Sequence, residues 1–450
     1  MIKDFEEAFF ERTSKSREIF ERARKILPGG VSANVKFMEP YPLYIKEAKG
    51  SKIIDVDGNI YIDYFQGAGP NILGHRPKVV IEAVKRQLEI CNHPILATEL
   101  EVKLAEKIRK HQPSMEMIRF CNTGSEANAF AMRVARAYKK KSKIAKFEGH
   151  FHGQYDNELI WSIGLTLERL EKRIVSPDCA GIPKEISNSI MLLPFNDTDE
   201  SVSLIRKNAN ELAGVIMEPI PVASLGAIPA EKEFMKTLRE ETEKYDIPLI
   251  FDEVVTGFRL GLGGAAEYYG ISPDLTALGK IIGGGFPIGA YGGRKDMMDK
   301  VVTPEKWPLD SNEKIFQSGT FSGNPISLAA GLALIEKLEK SNVYEHINFL
   351  GEKLRRGIQD RADKREVEIQ VTGIGSLFHV HFAKNVRSIR DVLREDMEAA
   401  KNFQLGLIVN GIFLPPIHTG FISAAHTEEE IDKTIEVSDK VFEILKKKRA

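Results

Sequence analysis

Apolar positions along the chain follow two rhythms, and the change from one to the other marks its organisation. Residues 5–27 repeat apolar side chains at helical spacing and stop at Leu27-Pro28-Gly29-Gly30, a cluster that cannot continue a helix. Residues 51–64 (SKIIDVDGNIYIDY) place two β-rich runs around Asp57-Gly58-Asn59, the pattern of a hairpin. From about residue 77, helical stretches near 77–90, 99–111, 125–140, 201–211 and 230–245 alternate with short apolar runs near 117–121, 143–147, 214–218 and 248–252. That alternation predicts an α/β fold, a mainly parallel sheet covered by helices on both faces. The runs AGVIMEP and IPLIFDE are continuously apolar, as burial on both faces requires, and each is closed by acids. Ligands in such sheets bind beyond the carboxyl ends of the strands, which directs attention to Glu218, Asp252 and Glu253.

The tail reads as a second, smaller α+β unit. A helix near 326–340 leads to strands around 366–383 and 408–424, and Thr427 with Glu430 forms a capping box before the last helix. The expected division is an N-terminal segment of helix and hairpin (1–70), a large domain (71–325) and a C-terminal small domain (326–450).

Composition narrows the function more by exclusion than by assignment. A chain of 450 residues can bury a sizeable core without a disulfide or metal staple. Its 63 basic and 64 acidic residues leave a net charge of −1, no electrostatic footprint for nucleic acid or an anionic membrane. No window approaches the roughly 18 apolar residues of a membrane span, and the charged N-terminus lacks a signal-peptide core. Cys91, Cys121 and Cys179 are too few and too scattered for a disulfide framework, so a reducing, cytoplasmic setting is expected.

Five stretches carry candidate chemistry, and each has a plain structural alternative. Asn122-Thr123-Gly124-Ser125-Glu126-Ala127-Asn128 opens a helix after an apolar run, so its N–H groups and dipole suit a phosphate; an ordinary N-cap would look the same. Asp252, ending a buried run before Glu253 and Val254, would pair with a cationic ring nitrogen, bind a metal or cap a helix. Lys280 stands between an apolar run and Gly283-Gly284-Gly285, where desolvation would make its amine a nucleophile for Schiff-base formation. Gly279-Lys280 is not a nucleotide-binding loop, because Asp274 replaces the first glycine and Ile281 the magnesium-binding hydroxyl. His150 and His152 flank Phe151 between two glycines. No further His or Cys lies at a customary zinc spacing, so no metal is expected there, and an aromatic stacked on a flat ligand fits better. Ser318-Gly319-Thr320-Phe321-Ser322-Gly323-Asn324-Pro325 is a polar loop leading into a helix at Pro325.

Together and in this order, these stretches resemble the class III (subgroup II) aminotransferases of fold type I, and among them the glutamate-1-semialdehyde 2,1-aminomutases. The resemblance covers nearly the whole chain and rests on LPGGV (27–31), NILGH (71–75), TELEVKLAE (98–106), NTGSEAN, FDEVVTGFR, LGKIIGGGFPIGAYGGR, GTFSGNP and SAAHTEEEID. It implies pyridoxal 5'-phosphate as cofactor, with Lys280 matching the lysine that holds it as a Schiff base and shuttles the substrate's proton. Asp252 matches the partner of the pyridinium nitrogen, Val254 and Phe151 the residues on the two ring faces, and Gly124 and Ser125 the phosphate cup. Thr320 matches a threonine that reaches the neighbouring subunit's phosphate, which implies a homodimer with its site at the interface. The resemblance also joins the N-terminal segment to the small domain.

The departures lie where the aminomutases recognise substrate. Lys36 stands where they have an arginine that grips a carboxylate, and a lysine cannot grip bidentately; Lys36 is equally readable as a solvated surface charge. Gln66-Gly67-Ala68-Gly69-Pro70 replaces a tryptophan-bearing run, and Ile417-His418-Thr419 replaces a run with an acid, which makes His418 a substrate candidate or an incidental loop residue. The segment from Arg294 to Ser318, with Trp307 and Pro308, is longer than in the aminomutases. The expectation is therefore a ping-pong transaminase acting on an amino donor and an oxo acceptor. The alternatives are the intramolecular aminomutase, an amino-acid racemase, a non-catalytic binding protein on the same scaffold, and a metal hydrolase built on His150 and His152.

Overall fold

The helical rhythm of the N-terminus breaks once, at Thr13. In the computed structural model, which describes residues 2–172, 174–306, 312–414 and 418–449, two helices, Ile2–Arg12 and Ser14–Ala23, replace the single expected one. The hairpin explains the break. The Asp57 carboxylate accepts hydrogen bonds from the Lys15 and Ser16 N–H groups at 2.7 and 3.0 Å and from the Ser16 hydroxyl at 2.9 Å. Those are donors that the start of a helix leaves without intrahelical partners.

The hairpin itself is β2 (Lys52–Asp55) and β3 (Ile60–Asp63), extended by β1 (Ile45–Lys49), whose sequence IKEAK is mostly exposed and carries no strand signal. Asp55 fixes the turn by accepting the N–H groups of Asp57 and Asn59 at 3.0 and 2.8 Å. These elements belong to one compact unit made of Met1–Pro77, Glu345–Val386 and Arg394–Ala450.

The other unit, Lys78–Tyr344 with Arg387–Leu393, contains the alternating region. Its strands are β4 (Met117–Cys121), β5 (Lys143–Phe147), β6 (Ile190–Leu193), β7 (Leu212–Met217), β8 (Leu249–Glu253), β9 (Leu275–Gly279) and β10 (Gly289–Gly293). Among the described residues they form one sheet in the order β4-β10-β9-β8-β7-β5-β6. Strands β5 to β9 run parallel, and β10 lies antiparallel between β4 and β9. This is the expected α/β sheet. β7, β8 and β9 are buried at every residue, which explains their unbroken apolar sequences.

β10 was not legible because its sequence, GAYGG, has little strand propensity. Close approach explains the glycines: a Cβ at Gly289, Gly292 or Gly293 would lie 2.1, 2.2 or 2.1 Å from the carbonyl oxygen of Thr123, Met117 or Asp274. The helix Pro325–Glu339, expected to open the tail, belongs to this sheet-bearing unit. Ser327 Oγ donates to the Pro287 carbonyl at 2.7 Å, and a Cβ at Gly331 would stand 1.9 Å from the carbonyl oxygen of Ile282.

The remaining strands, β11 (Gln370–Thr372), β12 (Leu377–His381), β13 (Ile412–Phe413) and β14 (Gly420–Phe421), lie in the first unit. β11, β12 and β14 make a small antiparallel sheet, while β13 adds parallel to β3. The last helix, Glu428–Arg449, opens on the expected capping pair, with Thr427 N–H to Glu430 Oε2 at 3.1 Å and Glu430 N–H to Thr427 Oγ1 at 3.3 Å. Trp307, Pro308 and Ile417 lie outside the described residues. No helix among those described is long and apolar enough to cross a membrane.

Gly331→Ala is expected to lower the free energy of unfolding in urea by about 1–3 kcal/mol, the usual cost of overpacking. An unchanged midpoint would mean that the helix is not seated on the Ile282 carbonyl.

Candidate active site

The parallel strands all end on one edge, and the candidate residues follow them there. Asn122 comes after β4, Glu148 to His152 after β5, Glu218 after β7, Asp252 and Glu253 close β8, and Lys280 follows β9. The antiparallel β10 starts at the same edge, with Gly289 opposite both Gly279 and Cys121.

Asp252 is 5 % exposed, and its carboxylate is held on several sides. Oδ2 accepts from Asn128 Nδ2 at 2.8 Å and lies 2.8 Å from His152 Nδ1, while Oδ1 accepts the Val254 N–H at 3.1 Å. Asn128 also donates to the His152 carbonyl at 2.7 Å, tying acid, amide and imidazole into one unit. Burial pushes the His152 pKa down, against the pull of Asp252, so the ring serves as a neutral hydrogen-bonding prop. A carboxylate oxygen accepts more than one hydrogen bond, so Oδ1 retains capacity for a further donor.

Lys280 occupies an unusual backbone position. Its φ is +50°, in the left-handed region that non-glycine side chains seldom adopt and that costs about 1–3 kcal/mol. Gly279 precedes it in an extended conformation, and the short turn Lys280–Gly283 follows. Burial lowers the pKa of its amine, while Asp252 and Glu218 pull the other way. Register places Asp252 opposite Ala277, so acid and amine emerge from neighbouring strands at one edge.

The helix Gly124–Lys139 starts at this edge, capped by Thr123 Oγ1, which accepts the Glu126 N–H at 3.1 Å. Gly124 and Ser125 supply first-turn N–H groups that have no partner within the helix, suited to an anion. Three backbones converge beside them. A Cβ at Gly124 would stand 2.6 Å from Val254 Cγ1, and one at Gly279 would stand 3.2 Å from that atom and 3.5 Å from Gly124 Cα. The loop after β5 passes as tightly: at Gly153, with φ +140°, a Cβ would meet Glu158 Oε2 at 2.1 Å and Ser125 Oγ at 2.5 Å.

Behind this edge lies a buried polar network, in which Glu218 and Glu253 stand out in the sequence as strand-end acids whereas Lys146 and Glu158 do not. Glu218, 4 % exposed, accepts the Phe151 N–H at 2.8 Å and the Val222 N–H at 3.3 Å, and its own N–H donates to His150 Nδ1 at 3.0 Å. Burial raises the Glu218 pKa, and Asp252 raises it further. Lys146 is fully buried, its pKa pushed down to about 8 by desolvation, and Nζ donates to the Glu158 carbonyl at 3.0 Å and Ser162 Oγ at 2.6 Å. Burial pushes the Glu158 carboxyl up to about 9. Glu253 serves the scaffold, accepting the N–H groups of Ala265 and Ala266 at 2.6 and 3.0 Å.

Gly124, Ser125, Phe151, Asp252, Val254 and Lys280 thus share one unit and one sheet edge. Thr320 is exposed in the same unit, on a loop whose Gly319 approaches Asn122 so closely that a Cβ would lie 3.1 Å from its Nδ2. Lys36 and His418 belong to the other unit. Lys36 is exposed, with Nζ donating to Ser32 Oγ at 2.9 Å; His418 is half-buried beside Phe65, ring centroids 5.3 Å apart. His150 and His152 are engaged separately by Glu218 and Asp252. Asn128 was visible in the NTGSEAN motif, one turn beyond Gly124, but its role needed the neighbouring strand.

A family model described as aminotransferase class-III matches residues 34–436. A glutamate-1-semialdehyde 2,1-aminomutase of Archaeoglobus fulgidus is 43% identical, spanning 94% of this chain and 98% of that protein. An omega-transaminase from Sphaerobacter thermophilus superposes with a TM-score of 0.87 at 36% identity, over 95% of this chain and 97% of its own. A transaminase solved with pyridoxal phosphate bound gives 0.87 at 31% identity, over 97% and 99%. The chain belongs to the class III aminotransferases, enzymes of the fold type I architecture that act on small molecules with pyridoxal 5'-phosphate as cofactor.

Proposed function

We propose that this chain carries out intermolecular amino transfer by a ping-pong route, with Lys280 and Asp252 as its catalytic pair. The observation that carries the reading is the strained, desolvated Lys280 beside an Asp252 whose carboxylate is fixed by Asn128 and His152. The side chains suit the cofactor on their own terms. Asp252 Oδ1 has room for a ring N–H, Gly124 and Ser125 offer N–H groups to a phosphate, and Val254 pressed on Gly124 makes a wall for a flat ring. Phe151 is assigned to the opposite face.

Pyridoxal phosphate supplies an aldehyde that captures amines and a ring that accepts negative charge from the substrate's Cα. Lys280 Nζ would hold the cofactor; once an amino donor displaces it, the amine would be placed to take the proton from the substrate's Cα and deliver it to the cofactor's aldehyde-derived carbon. Burial keeps that amine available as a base. Asp252 holds a proton at the ring nitrogen, which matters most when charge builds up at Cα.

The finer assembly belongs to the same proposal. Thr320 is exposed where it would serve a neighbouring subunit's phosphate. Leu88, Ile90, Ile95, Leu96 and Phe321, each 56 % exposed or more, offer an apolar surface for a homodimer. Lys36 and His418 are the substrate-side candidates, and their departure from the aminomutase pattern is what favours a donor and acceptor other than the semialdehyde. A cytoplasmic location is supported by cysteines that are all free. The second reading, the aminomutase, is favoured by the 43% identity to a protein of that name.

The deciding experiment is an absorption spectrum of the purified protein, titrated with amino compounds that include glutamate 1-semialdehyde. A visible band discharged by several amines, each discharge reversed by an oxo acid, supports the transaminase. Discharge by the semialdehyde and its diamino relative alone would establish the second reading instead.

Lys280→Ala is expected to abolish the visible band and to cut turnover by about 10²–10⁴, the range for loss of a positioned acid–base group. Asp252→Asn should keep the cofactor while lowering kcat by about a hundredfold; an unchanged kcat would remove Asp252 from the mechanism. Gly124→Ala should weaken cofactor binding by about tenfold, or ~1.4 kcal/mol, read from the same titration. Sedimentation should give twice the chain mass, and Thr320→Val should weaken cofactor binding with the dimer intact. A monomer with full activity would sink the interface assignment.

A further inference from the structure

Outside the pyridoxal-phosphate site, among the described residues, one cluster brings His379, His381 and Glu395 together in the unit made of Met1–Pro77, Glu345–Val386 and Arg394–Ala450. His379 and His381 are alternate residues of β12, so both side chains leave the same face of the strand. Glu395 comes from the segment just before the helix Met397–Val409. One ligand atom from each residue lies within 4.8 Å of the other two. All three side chains are buried: His379 is 7 % and His381 0 % exposed, and the Glu395 carboxylate is 4 % exposed.

We propose that His379, His381 and Glu395 bind a divalent transition-metal ion of the zinc class, which ties β12 to the segment that starts the helix Met397–Val409. Three observations carry the assignment. His379 Nδ1 is buried with no hydrogen-bond partner, a bare acceptor in an interior where such groups are seldom left unused. The other nitrogen of His379 bonds to the backbone of His418, and His381 Nε2 lies 2.9 Å from Thr372 Oγ1. Metal-bound imidazoles are held in this way, one nitrogen on the metal and the other on an oriented outer group. Finally, His381 Nδ1 and Glu395 Oε1 are in direct hydrogen-bond contact, so the cluster already brings an imidazole nitrogen and a carboxylate oxygen together, a contact that a bound cation would replace.

Two imidazoles and one carboxylate form a ligand set known for zinc, with a fourth position left to water. Zinc–nitrogen and zinc–oxygen bonds of about 2.0–2.2 Å fit between these atoms after small side-chain rotations. The site also balances charge, since a buried carboxylate is costly without a cation beside it. The register of β11 and β12 sets Thr372 opposite His379, so the outer hydroxyl is delivered by the sheet itself. The ligand spacing, H-x-H followed by a glutamate fourteen residues past the second histidine, does not follow a familiar zinc pattern.

The test uses the full-length holoenzyme, stripped with a chelator and dialysed against Zn²⁺ alone, with bound metal counted by mass spectrometry and Co²⁺ followed by its visible bands. The wild-type protein is expected to hold one ion per chain and to melt at higher temperature with it. His379→Gln and Glu395→Gln should each lower metal affinity by about a hundredfold or more, and Thr372→Val by about tenfold, with the pyridoxal-phosphate band retained as evidence of folding. Lys280→Ala should keep the metal, which separates this site from the cofactor. Wild-type protein that holds no more zinc than His379→Gln would overturn the proposal. So would an ion retained by His379→Gln and Glu395→Gln but lost on changing His150 or His152.

Discussion

The site depends on holding one carboxylate where an unpaired charge would be expensive. Asp252 ends a strand buried on both faces, and every unpaired ion taken out of water there costs several kcal/mol. The chain meets that cost with Asn128 and His152 on one oxygen and the Val254 N–H on the other. Asn128 is a mid-helix residue that stays in place because the helix Gly124–Lys139 is capped at Thr123 and packs on the sheet. The same helix start offers the phosphate-type donors at Gly124 and Ser125. Fixing the acid and building the anion cup are therefore one structural task, and a change that loosens the helix would disturb both.

Glycine is the second requirement, and it acts through distance more than flexibility. At Gly124, Gly279, Gly289, Gly292 and Gly293 the backbone angles are open to any residue, yet added Cβ atoms would stand between 2.1 and 3.2 Å from neighbouring atoms. The antiparallel strand β10 can lie between β4 and β9, and the wall at Val254 can press on Gly124, only because these side chains are absent. Lys280 presents the opposite case: a side chain is indispensable there and the left-handed backbone is tolerated. Strain and tight packing meet within a few residues of one another, which is where function most often overrides local preference.

What the sequence disclosed follows the same division. Strands β7 and β8 were legible because burial on both faces leaves unbroken apolar runs, and β4 and β5 because they are short runs set between helical stretches. β10 was not, because its glycines answer to carbonyl oxygens of strands distant in sequence. The break at Thr13 was hidden for a related reason, since the helix start at Ser14 is capped by Asp57, more than forty residues away. Lys280, Asp252 and the NTGSEAN turn stood out as motifs and Glu218 as a strand-end acid, whereas Lys146 and Glu158 looked like ordinary strand or loop residues, and the role of Asn128 within its motif stayed hidden until the sheet brought them together. His379 and His381 do not stand out in the sequence, because their glutamate partner lies beyond any local window.

Comparing the two desolvated lysines of the sheet-bearing unit shows what singles out a reactive amine. Burial depresses the pKa of both Lys146 and Lys280. Lys146 sits within β5 and gives its protons to the Glu158 carbonyl and the Ser162 hydroxyl, so its amine is occupied as a structural donor. Lys280 stands past the end of β9, and among the described residues no hydrogen bond claims its amine; its nearest charges are Asp252 and Glu218. A depressed pKa alone would rank the two together. The difference lies in what the neighbours leave unsatisfied, and the left-handed turn at Lys280 is the structural means of carrying that amine out of the sheet and holding it uncommitted at the edge where Asp252 ends.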